Sequence, residues 1–200
     1  MGVIKTALEI AMEKTENVSG DKSVIDQFEM KQKGKKLANT FLSADNSMSE
    51  ADLLKEIKNA SSLQQESLKQ GFAEVLIAQI NLPESKEGAD HLEKTGQGIS
   101  AVIDPSKKNA FSAMFNQLLQ IASQYLEEKA QYEQAILQQY APKLRQKEEE
   151  IARRIGRAVH LDPMQDPEFA AFRGQHMTAL KNNYAPVIEQ AREETKKLFV

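Results

Sequence analysis

Three histidines, His91, His160 and His176, are the residues of this chain best suited to metal or proton chemistry. None sits in a His-Glu-x-x-His or Glu-x-x-His arrangement, the helical spacings that put two ligands, or a ligand and a base, on one face. His160 and Asp162, with Asp166 and Glu168 close behind, form a loose metal-like group. Helix capping by the acids, and a favourable charge for His160 at a helix C-terminus, explain the same residues more simply. Cysteine is absent, which removes thiolate ligands, disulfides and thiol nucleophiles. Carboxylates are plentiful, but on exposed helical faces they single out no acid/base couple. Gly96-Gln97-Gly98 has no preceding strand and lacks the third glycine of a dinucleotide loop. Lys94-Thr95-Gly96 has the wrong order and spacing for a P-loop. The reading is a non-enzymatic chain with no catalytic residue, no cofactor and no metal ligand assigned.

Two basic clusters are the remaining candidates. Lys31, Lys33, Lys35 and Lys36 flank Gly34, and Arg153, Arg154 and Arg157 flank Ile155 and Gly156. Either could touch phosphate, which makes a nucleic-acid-binding accessory protein the alternative function. The lysine run reads more simply as a solvated break between two helices at Gly34. In the arginine cluster, Glu149 lies four residues before Arg153 and Glu150 four before Arg154, the favourable order for helical ion pairs. No aromatic RNA-binding pattern or zinc finger accompanies either cluster. The net charge of −3 gives no general attraction to nucleic acid or to an anionic membrane.

The elements that carry these residues are helical. With 40% apolar and 28% charged residues, the composition suits elongated helices with much exposed surface. No apolar run approaches the ~20 residues that span a bilayer. Together with the missing cysteines, this makes the expected location the cytoplasm. Met1-Gly2 and the residues after it match the loose myristoylation pattern, against the plainer reading of an amphipathic helix over 3–16. Further helices follow from Val24, from a capping box at Ser47–Glu50, and over residues 50–81 with a break near 59–62. Residues 84–103, with Gly88, Gly96 and Gly98, are left open between helix and loop.

From Asp104-Pro105, where Asp caps and Pro takes the first position, a long helix is expected to about Val159. Phe111, Met114, Leu118, Ile121 and Tyr125 step as a heptad-like, coiled-coil-like seam. Leu137, Tyr140, Leu144, Ile151 and Ile155 continue it after a phase shift near Glu127. A turn over His160–Pro167 returns the chain along Met177, Leu180, Tyr184, Val187, Ala191 and Leu198. Gln138-Gln139-Tyr140-Ala141-Pro142 is echoed by Asn182-Asn183-Tyr184-Ala185-Pro186. Folding the chain at 163–164 would set Tyr140 and Pro142 beside Tyr184 and Pro186, with two matched proline bends. The expected architecture is all-α: a shorter-helix region over 1–103 and a long antiparallel hairpin over 104–200, forming one continuous structural unit.

Several segments resemble a family of uncharacterised bacterial helical proteins. They are Ile4–Lys14, Gly34-Lys35-Lys36-Leu37-Ala38 with Phe41-Leu42, Gly71–Leu76 followed by Asn81-Leu82-Pro83, and Pro167-Glu168-Phe169. The resemblance implies a bacterial, cytoplasmic, all-α protein and supplies no functional residues. The functional expectation is therefore an interaction or scaffold protein whose helical seams bind a protein partner or a second copy, with no membrane association.

Overall fold

A computed structural model describes residues 21–43 and 48–199. The amphipathic stretch at 3–16, the myristoylation-like start and Ser47 lie outside them. The described residues form six α-helices and no strand: α1 (Asp21–Leu42), α2 (Glu50–Lys58), α3 (Ser62–Ala78), α4 (Lys86–Val102), α5 (Lys108–Ile155) and α6 (Pro167–Lys197). No helix among them is long and apolar enough to cross a membrane. The described residues divide into two compact units, one of those up to Gln79 with Lys94–Asn109 and those from Thr195 on, the other of Ile80–Glu93 and Ala110–Glu194. Residues 80–93 fall in the same unit as most of α5 and α6.

In the first unit α1 is continuous through Gly34, and the expected break there does not occur. The glycine serves a close approach instead. A Cβ on Gly34 would lie 2.1 Å from the Leu68 carbonyl oxygen, and one on Gly71 would lie 2.0 Å from that of Lys31. Two glycines therefore let α1 and α3 cross backbone to backbone, running antiparallel. Beyond the crossing, Ala38, Phe41, Leu68, Phe72 and Leu76 are buried, with Phe41 edge-on to Phe72 at 5.8 Å. The second half of α4 completes this core with Thr95, Ile99 and Val102. Gly98 faces Phe41 and Leu76, which explains why a glycine-bearing stretch is helix rather than loop. At the other end of α1, Val24, Ile25 and Phe28 remain exposed.

Local caps set the helix ends. Ser49 caps α2, its hydroxyl accepting the Asp52 amide at 3.1 Å. Ser61 and Gln64 form a capping box at the start of α3, after the expected break at Asn59-Ala60. Asp104 does not cap α5. Its carboxylate accepts the Ser106 amide at 2.8 Å within a turn over 104–107, and the helix starts at Lys108.

The second unit is built on α5 and α6. Tyr125 packs on Tyr184 and Tyr140 on Phe169, both with ring centroids 5.2 Å apart, so the helices are antiparallel. Both pairs have their midpoint at residues 154–155, not at 163–164. The expected meeting of Tyr140 and Pro142 with Tyr184 and Pro186 is therefore wrong. Tyr125, which Tyr184 touches, precedes Tyr140 by fifteen residues of one helix, roughly 22 Å. The reason is an overhang. Residues 143–155 of α5 run past the start of α6, and the return segment lies back along them, with the Leu161 amide donating to Glu148 Oε1 at 2.8 Å. Gly156, with φ of 76°, ends α5 in the left-handed conformation glycine adopts without strain. Pro142 and Pro186 both lie within continuous helices and on exposed faces, where the carbonyls they leave unbonded meet solvent.

The seam has no phase shift. Phe111, Ala122 and Leu144 are buried, as are Tyr125 with Ile136 and Leu118 with Tyr140. These positions repeat every eleven residues, and α6 does the same with Phe169, Leu180 and Ala191. Eleven residues over three turns stays close to the natural 3.6 per turn and asks for no left-handed supercoil. The stripe looks interrupted in the sequence because its middle positions are Lys129 and Glu133. Leu137 and Ile155, read as seam residues, are 44% and 48% exposed.

The two kinds of glycine predict opposite stability changes. Gly34→Ala forces α1 away from α3 and lowers the melting temperature, although alanine favours helix by about 1 kcal/mol. Gly174→Ala, in α6 with nothing within 4 Å of its Cβ, raises it. Circular-dichroism melts of both variants check this; equal shifts would contradict the close crossing.

Candidate functional site

The basic residues singled out by sequence fall in different units. On α1, Lys31 and Lys35 both pair with Glu74 of α3, the second at 3.1 Å, and Lys33 pairs with Glu56 of α2 at 3.2 Å. These lysines stitch their own unit together, and they hold the Glu74 carboxyl below its ordinary range against the opposing effect of burial. Lys36 points outward from the same helix. In the last turn of α5, Arg153 reaches Glu149 at 3.8 Å. The second expected helical pair, Glu150 with Arg154, does not form. Arg154 and Arg157 are exposed.

The acids near the turn act as caps. Asp162 accepts the Met164 amide at 2.9 Å and starts a short 3-10 turn, Pro163–Gln165. Asp166 accepts the Glu168 amide at 3.0 Å and opens α6 at Pro167 as expected. His160 lies almost wholly in solvent with Nδ1 3.0 Å from Glu148. Among the described residues no three of His, Asp and Glu come together as a metal site. His176 packs edge-on to Phe172.

A polar cluster missed by sequence reading sits at this turn. Lys147 donates to both oxygens of Asp166, at 2.9 and 2.7 Å, and pairs with Glu168 at 2.6 Å. The Tyr140 hydroxyl donates to Asp166 at 3.0 Å and accepts from Lys147 at 3.3 Å. Beneath them lie Ile136, Leu144 and Phe169, with Leu161, Phe172 and Met177 at the margin. The Lys147 ammonium holds Asp166 below its usual range and, with Lys143, holds Glu168 down at about 2. The same carboxylates push Lys147 up, and burial pushes the Tyr140 phenol up. The arrangement ties the start of α6 to the side of α5.

Further along the hairpin the seam is again charged. Glu133 pairs with Arg173, and Glu84 receives Lys129 at 3.0 Å and Lys181 at 3.0 Å. Arg192 is anchored by the Ile80 carbonyl at 2.9 Å and by Asn81. The signal for these pairs was present in the eleven-residue spacing, which runs from Leu118 to Lys129 to Tyr140 and from Ala122 to Glu133 to Leu144.

A groove of about 140 Å³ lies between α5 and α6. One wall is Met114, Gln117, Leu118 and Ile121; the other is Val187, Gln190, Ala191 and Glu194. Each wall follows the i, i+3, i+4, i+7 pattern of one helical face, so the groove is a furrow two turns long, apolar along its floor and rimmed by amides and one carboxylate. Met114, Ile121 and Val187 are only half-buried.

A model of DUF6657, described as a family of unknown function, matches residues 54–197, which include the groove, the charged seam and the turn cluster. No curated protein and no solved structure matches the chain.

The turn cluster carries a pH signature. Asp166 and Glu168 titrate below their unfolded values, so their ionisation stabilises the fold above about pH 4.5, and that gain is lost as the pH falls toward 2. Lys147 titrates above 10.5, so its contribution is lost only in alkali. Lys147→Met therefore lowers the melting temperature at pH 7, and the deficit against the unaltered chain closes as the pH drops from 5 to 2. A deficit constant over that range would assign the effect to the lysine stem instead.

Proposed function

The chain belongs to DUF6657, a family whose description assigns it no role, and from that premise we propose a non-enzymatic helical interaction protein. The observation that carries the reading is the groove between α5 and α6, whose two walls have the spacing of helical faces and whose floor is apolar. Two-helix hairpins accept a third helix along such a furrow. Covering Met114, Ile121 and Val187, each already half-buried, leaves roughly 1 kcal/mol to gain per side chain. Three of them together contribute roughly 3 kcal/mol toward holding a partner helix.

Bacterial origin and a cytoplasmic setting complete the reading. They rest on the resemblance noted in the sequence and on the lack of cysteine. The alternative, nucleic-acid binding through Lys31–Lys36 and Arg153–Arg157, draws less support. Lys31, Lys33 and Lys35 are engaged by Glu74 and Glu56, and Arg153 by Glu149.

A photo-crosslinking residue placed at Gln117 or Gln190, in cells, tests the groove. Adducts are expected from both positions and not from the exposed Arg145, and Val187→Glu should cut their yield about tenfold. Equal labelling from Arg145, or adducts indifferent to Val187→Glu, would refute the groove as the binding surface.

A further inference from the structure

We infer that the helix seated in this groove is α5 of a second copy of the chain, in a two-fold antiparallel pair centred on Gln117. The inference rests on the protein-binding reading of the groove and names its occupant. The first argument is charge. Although 28% of the chain is charged, the stretch from Asn109 to Leu126 contains no charged residue. In a two-fold pair each surface meets itself, so any charge near the axis meets its own like charge. A stretch free of charge is what such a contact requires, and the cores of interfaces are depleted of charge in the same way.

The second argument is shape. Ala110, Ala113, Met114, Gln117, Gln120, Ile121 and Gln124 share one side of α5, all exposed or half-buried. An antiparallel copy centred on Gln117 sets Ala113 level with the partner's Ile121 and Ala110 level with the partner's Gln124. Large side chains then lie opposite small ones, twice over. Gln117 meets its own counterpart at the axis, where two amides can both donate and accept.

The borders supply the direction. Lys107 and Lys108 precede the uncharged stretch, and Glu127 and Glu128 follow it. Antiparallel pairing brings the basic border of each copy level with the acidic border of the other. Parallel pairing would set like charges together.

Light scattering on the full purified chain tests the inference. The expected mass is twice 22.4 kDa. Gln117→Glu and Gln117→Lys should each weaken the dimer tenfold or more with unchanged helical circular dichroism, since Gln117 is exposed. Mixing the two variants should restore it, as opposite charges then meet at the axis. A monomer up to about 100 µM, a dimer blind to both substitutions, or a mixture no stronger than its parts would each overturn the proposal. A monomeric chain that still crosslinks another protein from Gln117 in cells would reject the second copy and leave the protein-binding reading standing. No crosslink to anything would reject both.

Discussion

The ion pair between Lys147 and Asp166 decides where α6 begins against α5. Asp166 caps α6, and Lys147 holds that cap against the side of α5, so the start of one helix is tied to a defined level of the other. Tyr140 links the pair to the apolar layer beneath through its hydroxyl, and its ring rests on Phe169. With that level set, Tyr125 falls on Tyr184 and Leu118 comes level with Ala191. The groove inherits its shape from this register, although it lies at the far end of the rods. A buried charge left without its partner is costly, so the contact is hard to shift by a little and still keep.

Much of the helical content could be read from spacing and caps. The Asp166-Pro167 start, the break near residues 59–62 and the apolar positions of α6 are local signals, and local signals survive into the fold. Three features escaped because their cause is not local. Gly34 has the sequence of a helix break and the function of a helix crossing, and only the backbone of α3 distinguishes the two. Lys129 and Glu133 look like a solvated face until Glu84 and Arg173 are placed beside them. The hairpin register failed because counting outward from the turn assumes that both helices reach it, whereas α5 overshoots and the return segment doubles back. The repeated Tyr-Ala-Pro motif made the wrong register attractive.

The basic clusters illustrate how pairing alters the meaning of charge. A row of lysines seen alone suggests a phosphate. The same row with Glu74 and Glu56 across from it is an internal brace between α1, α2 and α3. In the hairpin the reverse holds. The uncharged amide and alanine side of α5 resembles an unremarkable helix surface by composition, and it stands out only against the charge carried by the rest of the chain.

An apolar repeat is indifferent to its own sliding. Because Phe169, Leu180 and Ala191 are equivalent at eleven-residue steps, and Ala122 and Leu144 likewise, a hairpin displaced by one repeat would still bury apolar side chains against apolar side chains. Such a slipped hairpin is a near-degenerate competitor, the kind of state that traps a folding chain. The charged positions within the seam remove the degeneracy, since a slip parts Glu133 from Arg173 and Asp166 from Lys147 while Lys129 and Lys181 no longer share Glu84. Ion pairs that interrupt the greasy stripe thus act as a proofreading step in assembly, penalising the misaligned hairpin more than they stabilise the aligned one.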